Sequence, residues 1–172
     1  MIKKKICLLG APGVGKTSLV ARFVKSIFSE KYQASVGAKV DKKTVQANGE
    51  MVQLVIWDMA GDSAERLAHS PYVREAAGHL VVADGTQPAT LDEARRIAHE
   101  FMSHHGNVPM VFLVNKSDLS NSWRVTVEEI ARVGGDHGQP FVTSAKTGES
   151  VEQAFVRLAE KMLTAGMPAA DA

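Results

Sequence analysis

Gly10-Ala11-Pro12-Gly13-Val14-Gly15-Lys16-Thr17-Ser18 follows the apolar run Ile6–Leu9 and leads into Leu19-Val20-Ala21-Arg22-Phe23-Val24, which reads as a helix. Gly10, Gly15, Lys16 and Thr17 stand where the P-loop pattern requires them, between a strand and a helix. Glycines let the backbone curl tightly, so that successive N–H groups of Gly13, Val14, Gly15, Lys16, Thr17 and Ser18 turn inward at phosphate oxygens. The helix that begins near Lys16 adds the positive end of its dipole. Lys16 supplies a mobile cation for β- and γ-phosphates, and the Thr17 hydroxyl is a ligand for Mg²⁺. A glycine-rich turn that merely precedes a lysine is the plain alternative, and the strand and helix on either side weigh against it.

The 172 residues are most simply one domain over 1–164, with a short, disordered tail over 165–172. Apolar residues at 45%, charged residues at 23% and a net charge of +1 describe an ordinary globular chain. With so little net charge there is no global field for nucleic acid or an anionic membrane. Cys7 is the only cysteine and lies in an apolar strand, so it is expected as a buried structural thiol in a reducing cytosol. No stretch approaches a membrane span, the last residues hold no cysteine, and no glycine follows Met1. The expectation is a cytoplasmic protein with no intrinsic lipid anchor, reaching membranes only through a partner.

Ile2–Leu9 reads as a buried strand, Lys16–Lys25 as a helix, and Ser26–Gly37 as an exposed loop. Lys39–Gln46 is a polar edge strand joined through Asn48-Gly49, a strong hairpin signal, to the antiparallel strand Met51–Asp58. A loop over 59–71 holds a short helix near Ala64–Ala68. His79–Asp84, Met110–Asn115 and Pro140–Ser144 are further strands. Helices between them are expected from three capping boxes, at Thr90 with Glu93, Thr126 with Glu129, and Ser150 with Gln153. Alternating strands and helices predict an α/β fold, a mostly parallel sheet covered on both faces with one antiparallel edge strand. Ligands of such sheets sit at the carboxyl ends of the strands. The P-loop, Asp58, Asn115 and Ser144 all fall there.

Asp58-Met59-Ala60-Gly61 offers a carboxylate for Mg²⁺ and a glycine whose N–H can approach a γ-phosphate; alone, it also fits a strand ending in a turn. In Asn115-Lys116-Ser117-Asp118 the Asp118 carboxylate can accept two hydrogen bonds from guanine N1 and N2, a pair that adenine lacks. The Lys116 stem can lie along the base, and an Asx-type turn is the structural alternative. In Thr143-Ser144-Ala145-Lys146 the Ala145 N–H suits guanine O6, whereas Ser144 also suits a helix cap.

These motifs, in this order from Ile2 to Met162, resemble the Ras-like small GTPases. Trp57-Asp58-Met59-Ala60-Gly61 is similar to the Rab branch, and Val82-Ala83-Asp84-Gly85-Thr86 to the GTPase module of Roco-type proteins. The resemblance implies a P-loop NTPase, a three-layer sandwich of six strands and five helices, and a GTP/GDP switch with Mg²⁺ that hydrolyses GTP. It implies nucleotide binding by Gly13–Ser18, Phe28, Ser35, Gly61, Asn115, Lys116, Asp118, Ser144, Ala145 and Lys146, and Mg²⁺ binding by Thr17, Ser35 and Asp58. Phe28 would pack edge-on to guanine and Tyr32 close over the phosphates. Activating, exchange and effector proteins would meet residues 28–38 and 59–74.

Three departures stand out. Pro12 replaces a common glycine and lacks an N–H. Ser35 is the best match to the usual Mg²⁺-binding threonine, with Ser29 as the alternative. Asp62 follows Gly61 where a water-orienting glutamine is usual. Lys16, Gly61 and Asp62 are the expected catalytic residues, but aspartate is shorter, lacks the amide donor and is repelled by phosphate. Slow hydrolysis dependent on an activating partner is therefore expected, with a hydrolysis-deficient adaptor as the rival and Asp62 as the base itself as the contrary case. An ATP-directed P-loop enzyme is disfavoured, since Asn115–Asp118 would have no purpose in it. Asp92-Glu93, Arg95-Arg96 and His104-His105 are read as a solvated helix face and end.

Overall fold

Strand β1 (Ile2–Gly10) lies inside the sheet because its second half, Ile6-Cys7-Leu8-Leu9, is apolar on both faces and must be covered twice. The computed structural model describes residues 1–29 and 37–165. β1 pairs in parallel with β3 (Glu50–Met59) on one side and β4 (Gly78–Asp84) on the other. β5 (Met110–Asn115) and β6 (Phe141–Val142) continue the parallel run. β2 (Ala38–Ala47) closes the opposite edge antiparallel to β3, giving the order β2-β3-β1-β4-β5-β6. Asn48 and Gly49 both take positive φ (50° and 78°), as the tight hairpin turn between them demands.

The two-residue alternation of β1 divides the core. Ile6 and Leu8 face helices α1 (Lys16–Lys25) and α5 (Val151–Ala165), whose Phe23 and Phe155 rings stack at 3.9 Å. Cys7 and Leu9 face α2 (Ala64–His69), α3 (Ala89–His105) and α4 (Val127–Gly134). Burial pushes the Cys7 thiol up to about 12, as befits the expected inert structural cysteine. Among the described residues, six strands and five α-helices form the expected sandwich, and its crossovers return every carboxyl end of β1, β3, β4, β5 and β6 to one rim.

Local details differ from the sequence reading. The Thr126 hydroxyl accepts the Glu129 N–H at 3.1 Å, as a capping residue should. The Thr90–Glu93 box does not form. α3 already begins at Ala89, so Thr90 lies inside it and its hydroxyl accepts the Asp84 N–H at 2.8 Å. Glu93 accepts from Ala64 of α2 instead, at 3.1 Å, and is no mere member of a solvated face. Ser150 has φ 54°, left-handed rather than the extended backbone of an N-cap, yet α5 starts directly after it. β6 is shorter than Pro140–Ser144: only Phe141 and Val142 pair in register with β5, although the Thr143 N–H still reaches the Val114 carbonyl at 2.9 Å, and the Thr143 and Ser144 hydroxyls bond Asn115 and Asp118. α5 includes Ala165, and the tail expected beyond it, residues 166–172, lies outside the described residues. No helix among the described residues is long and apolar enough to cross a membrane.

Candidate functional site

The phosphate side is built on the start of α1. Its N-cap is Gly15, with φ 103°, and it has neither a side-chain cap nor an acidic residue in its first turn. Helix N-termini usually satisfy their orphan N–H groups with such side chains, so this one presents donors and a dipole to an anion. A Cβ at Gly15 would lie 2.4 Å from Asn115 Nδ2, so sterics as well as φ demand glycine there. Lys16 is only 6% exposed and folds back over the loop, donating from Nζ to the Gly10 and Ala11 carbonyls at 3.1 and 3.0 Å. Burial pushes its pKa down to about 8, against the pull of Asp58. Ser18 follows within the same first turn, half-buried.

Asp58 lies one residue before the end of β3 and is 2% exposed. Thr17 Oγ1 donates to its Oδ2 at 2.7 Å, while the buried Oδ1 has no hydrogen-bond partner among the described residues. Burial raises the Asp58 pKa, opposed by the Thr17 hydrogen bond and by the charges of Lys16 and Lys39. A buried carboxylate oxygen without a donor, beside a hydroxyl and a phosphate-binding turn, is a donor set suited to a small hard dication. Mg²⁺ therefore fits Asp58 and Thr17. Ser35 and Tyr32 lie outside the described residues.

Gly61 packs against the P-loop so closely that a Cβ would meet the Pro12 nitrogen at 2.4 Å. Asp62 turns toward the start of α2, where its Oδ1 accepts the Ser63 N–H at 2.8 Å. Ser63 in turn caps Arg66.

The base side gathers three loops. Asn115 is buried; its Nδ2 donates to the Val14 carbonyl at 3.1 Å and its Oδ1 accepts from Thr143 at 3.1 Å. It thus ties β5 to the P-loop and to the last strand. Lys116 donates to the Gly13 carbonyl at 2.8 Å and pairs with Asp84 at 2.9 Å. Ser144 Oγ donates to Asp118 Oδ1 at 2.7 Å and accepts the Thr147 N–H at 3.0 Å, so it orients the carboxylate and caps the turn together. Arg22 of α1 forks beneath the same loop, donating to the Ala145 carbonyl at 2.7 Å and also to that of Lys146. Phe28 stands beyond α1 with its ring exposed.

Every expected site residue that is described, Phe28 apart, falls at this one rim. Sequence reading passed over Arg22, and it gave no role to Asp84 and Thr143 although both stand in quoted motifs. The signals were present: a lone cation in the apolar run Leu19–Val24, and a carboxylate closing the otherwise apolar strand Leu80–Asp84.

Comparison with known proteins agrees with this geometry. The Ras family model matches residues 5–164. The chain is 35% identical over 163 residues to the Ras-related protein RABF2b of Arabidopsis thaliana, covering 94% of this chain and 82% of that protein. It is 36% identical over 164 residues to the Ras-related protein Rab5 of Nicotiana tabacum, with the same coverage. It is 32% identical over 162 residues to the Ras-related protein Rab-8B of Pongo abelii, covering 93% and 78%.

Proposed function

The chain belongs to the Ras family, whose members are GTP-binding switches that hydrolyse GTP, and from that premise we propose how its own residues carry the cycle. The bare N-terminus of α1 and Lys16 hold the phosphates, while Asp118, oriented by Ser144, and the Ala145 N–H select guanine. Thr17, Asp58 and Ser35 are the residues that hold Mg²⁺, which when bound supplies positive charge to the phosphates. The observation that carries this reading is the buried Asp58 Oδ1 beside Thr17, without a donor among the described residues and at the same rim as the Asn115–Asp118 loop.

Gly61 admits a backbone N–H close to the terminal phosphate. Asp62 is the weak member: its carboxylate is engaged by Ser63 and carries no donor with which to orient water. Hydrolysis is accordingly slow and is accelerated by an activating protein. Partners meet the residues 28–38 and 59–74. Support comes from the apolar side chains exposed in or near these two segments, Phe28, Val40 and Tyr72, the last with its ring 5.8 Å from that of Trp57.

The test is a single turnover. The protein is loaded with GTP and Mg²⁺, incubated for hours and denatured, and the nucleotide is identified by chromatography. GDP should accumulate slowly, and Asp62→Gln should speed the reaction roughly tenfold or more. GTP retained intact by both chains would overturn the hydrolytic assignment, and no retained nucleotide would overturn the site.

A further inference from the structure

Asp84 closes β4 within Val82-Ala83-Asp84-Gly85-Thr86 and is 3% exposed, yet no binding or catalytic role has been given to it. Its two oxygens have separate duties. Oδ1 accepts the Thr86 N–H at 2.8 Å and the Thr86 hydroxyl at 2.7 Å, the pattern of an Asx turn. A turn explains that oxygen only. Oδ2 is bound to Lys116 Nζ at 2.9 Å, across to the loop after β5. The same ammonium donates to the Gly13 carbonyl of the P-loop at 2.8 Å. Lys116 has φ 75°, a backbone state that side chains other than glycine rarely adopt, so its place is held by what its side chain grips.

We propose that Asp84 is a positioning residue for nucleotide retention: it fixes the Lys116 ammonium so that one cation braces the base-side loop and the P-loop together. A buried carboxylate and an ammonium at this distance are charged on both sides, which makes their bond stronger than the one the same ammonium gives to the uncharged Gly13 carbonyl. Thr86 locks the carboxylate rotamer, which aims Oδ2 at Lys116. The methylene stem of Lys116 is thereby laid beside the base site while its tip holds the turn at Gly13. Loosening Asp84 frees both walls at once, and the bound nucleotide leaves sooner. Hydrolysis within an already loaded site does not pass through this contact.

The inference rests on the guanine-nucleotide reading of the same site. The experiment loads the full chain with a fluorescent GDP analogue and follows its release into excess unlabelled GDP. Asp84→Asn preserves shape and an acceptor for Thr86 but removes the charge and turns an amide donor or a neutral oxygen toward the ammonium. Release should quicken about tenfold, as expected for losing a hydrogen bond to a charged group. Lys116→Met should quicken it as well, and adding Asp84→Asn to Lys116→Met should change it by less than about twofold, because the carboxylate acts through the ammonium. A purely structural role for Asp84 would carry its full factor into the Lys116→Met background. That result, or release from Asp84→Asn within about twofold of the parent, overturns the inference. If Asp84→Asn does not fold, Thr86→Val is read the same way, since it frees the carboxylate rotamer and keeps the charge; parental release from it overturns the inference too. A parent chain that retains no GDP overturns the nucleotide reading instead.

Discussion

At the scale of single residues, Lys16 is held in conflict. Burial favours its neutral form and lowers its pKa to about 8, although Asp58 pulls the other way. A bound phosphate restores the charged form, so binding draws a proton onto Lys16 wherever the free chain has lost it. The sign follows: GDP affinity is full below pH 8 and falls as pH rises past it, by at most about tenfold per unit. Calorimetry at pH 7 and pH 9, in buffers of different ionisation enthalpy, should show proton uptake only at the higher pH. Equal affinity and no uptake at pH 9 would mean that Lys16 stays charged without phosphate. This residue was legible in the sequence, as were Gly15 and Gly61, because a backbone that must curl or come close leaves glycines at fixed spacing. Asp84 and Arg22 were not, because what each one does depends on a partner far along the chain: Lys116 for one, the carbonyls of Ala145 and Lys146 for the other.

At the scale of elements, α2 depends on α3. Glu93 accepts the first N–H of α2, at Ala64, and His105 Nε2 meets the Ala68 carbonyl near its other end at 2.6 Å. A six-residue helix is too short to hold itself together in water, so these side chains and the buried Ala64, Leu67 and Ala68 keep it formed. Glu93→Ala should leave α3 intact, since alanine favours helix, and speed amide exchange over residues 64–69 roughly tenfold. Mass-resolved hydrogen exchange checks this, with α5 as the internal control; unchanged exchange in α2 would show that apolar packing alone suffices. The existence of α2 was legible, but its support was misread. Thr90 and Glu93 have the spacing of a capping box, and spacing does not tell which helix end a carboxylate faces. The hairpin between β2 and β3 was read correctly because Asn48-Gly49 specifies its own geometry, with no distant partner.

At the scale of the whole molecule, one sheet separates two cores, and the one beneath α3 contains a histidine. His79 is the second residue of β4, nearly free of solvent, with its ring edge-on to Phe101 at 4.8 Å and Nδ1 without a hydrogen-bond partner among the described residues. Burial lowers its pKa from 6.5 to about 3. A lowered folded pKa means that the unfolded chain binds the proton first, so this contribution to stability is whole above pH 6.5 and is lost as pH falls toward 3. Urea unfolding at pH 6.5 and pH 5 should differ by about 2 kcal/mol from this group, and His79→Leu should remove that slope. An unchanged slope would assign the acid sensitivity to other groups. The sheet order and the rim at which the site lies were legible from alternating strands and helices, whereas His79 was read only as part of a buried strand. The Arg22 fork has one more consequence, for the order in which a ribosome delivers the protein. The phosphate loop and Arg22 are made in the first seventh of the chain, but the carbonyls that Arg22 holds arrive with Ala145 and Lys146. A growing chain therefore has to add the 123 positions from Arg22 to Ala145 before the helix behind the phosphate loop can be tied to the loop after β6.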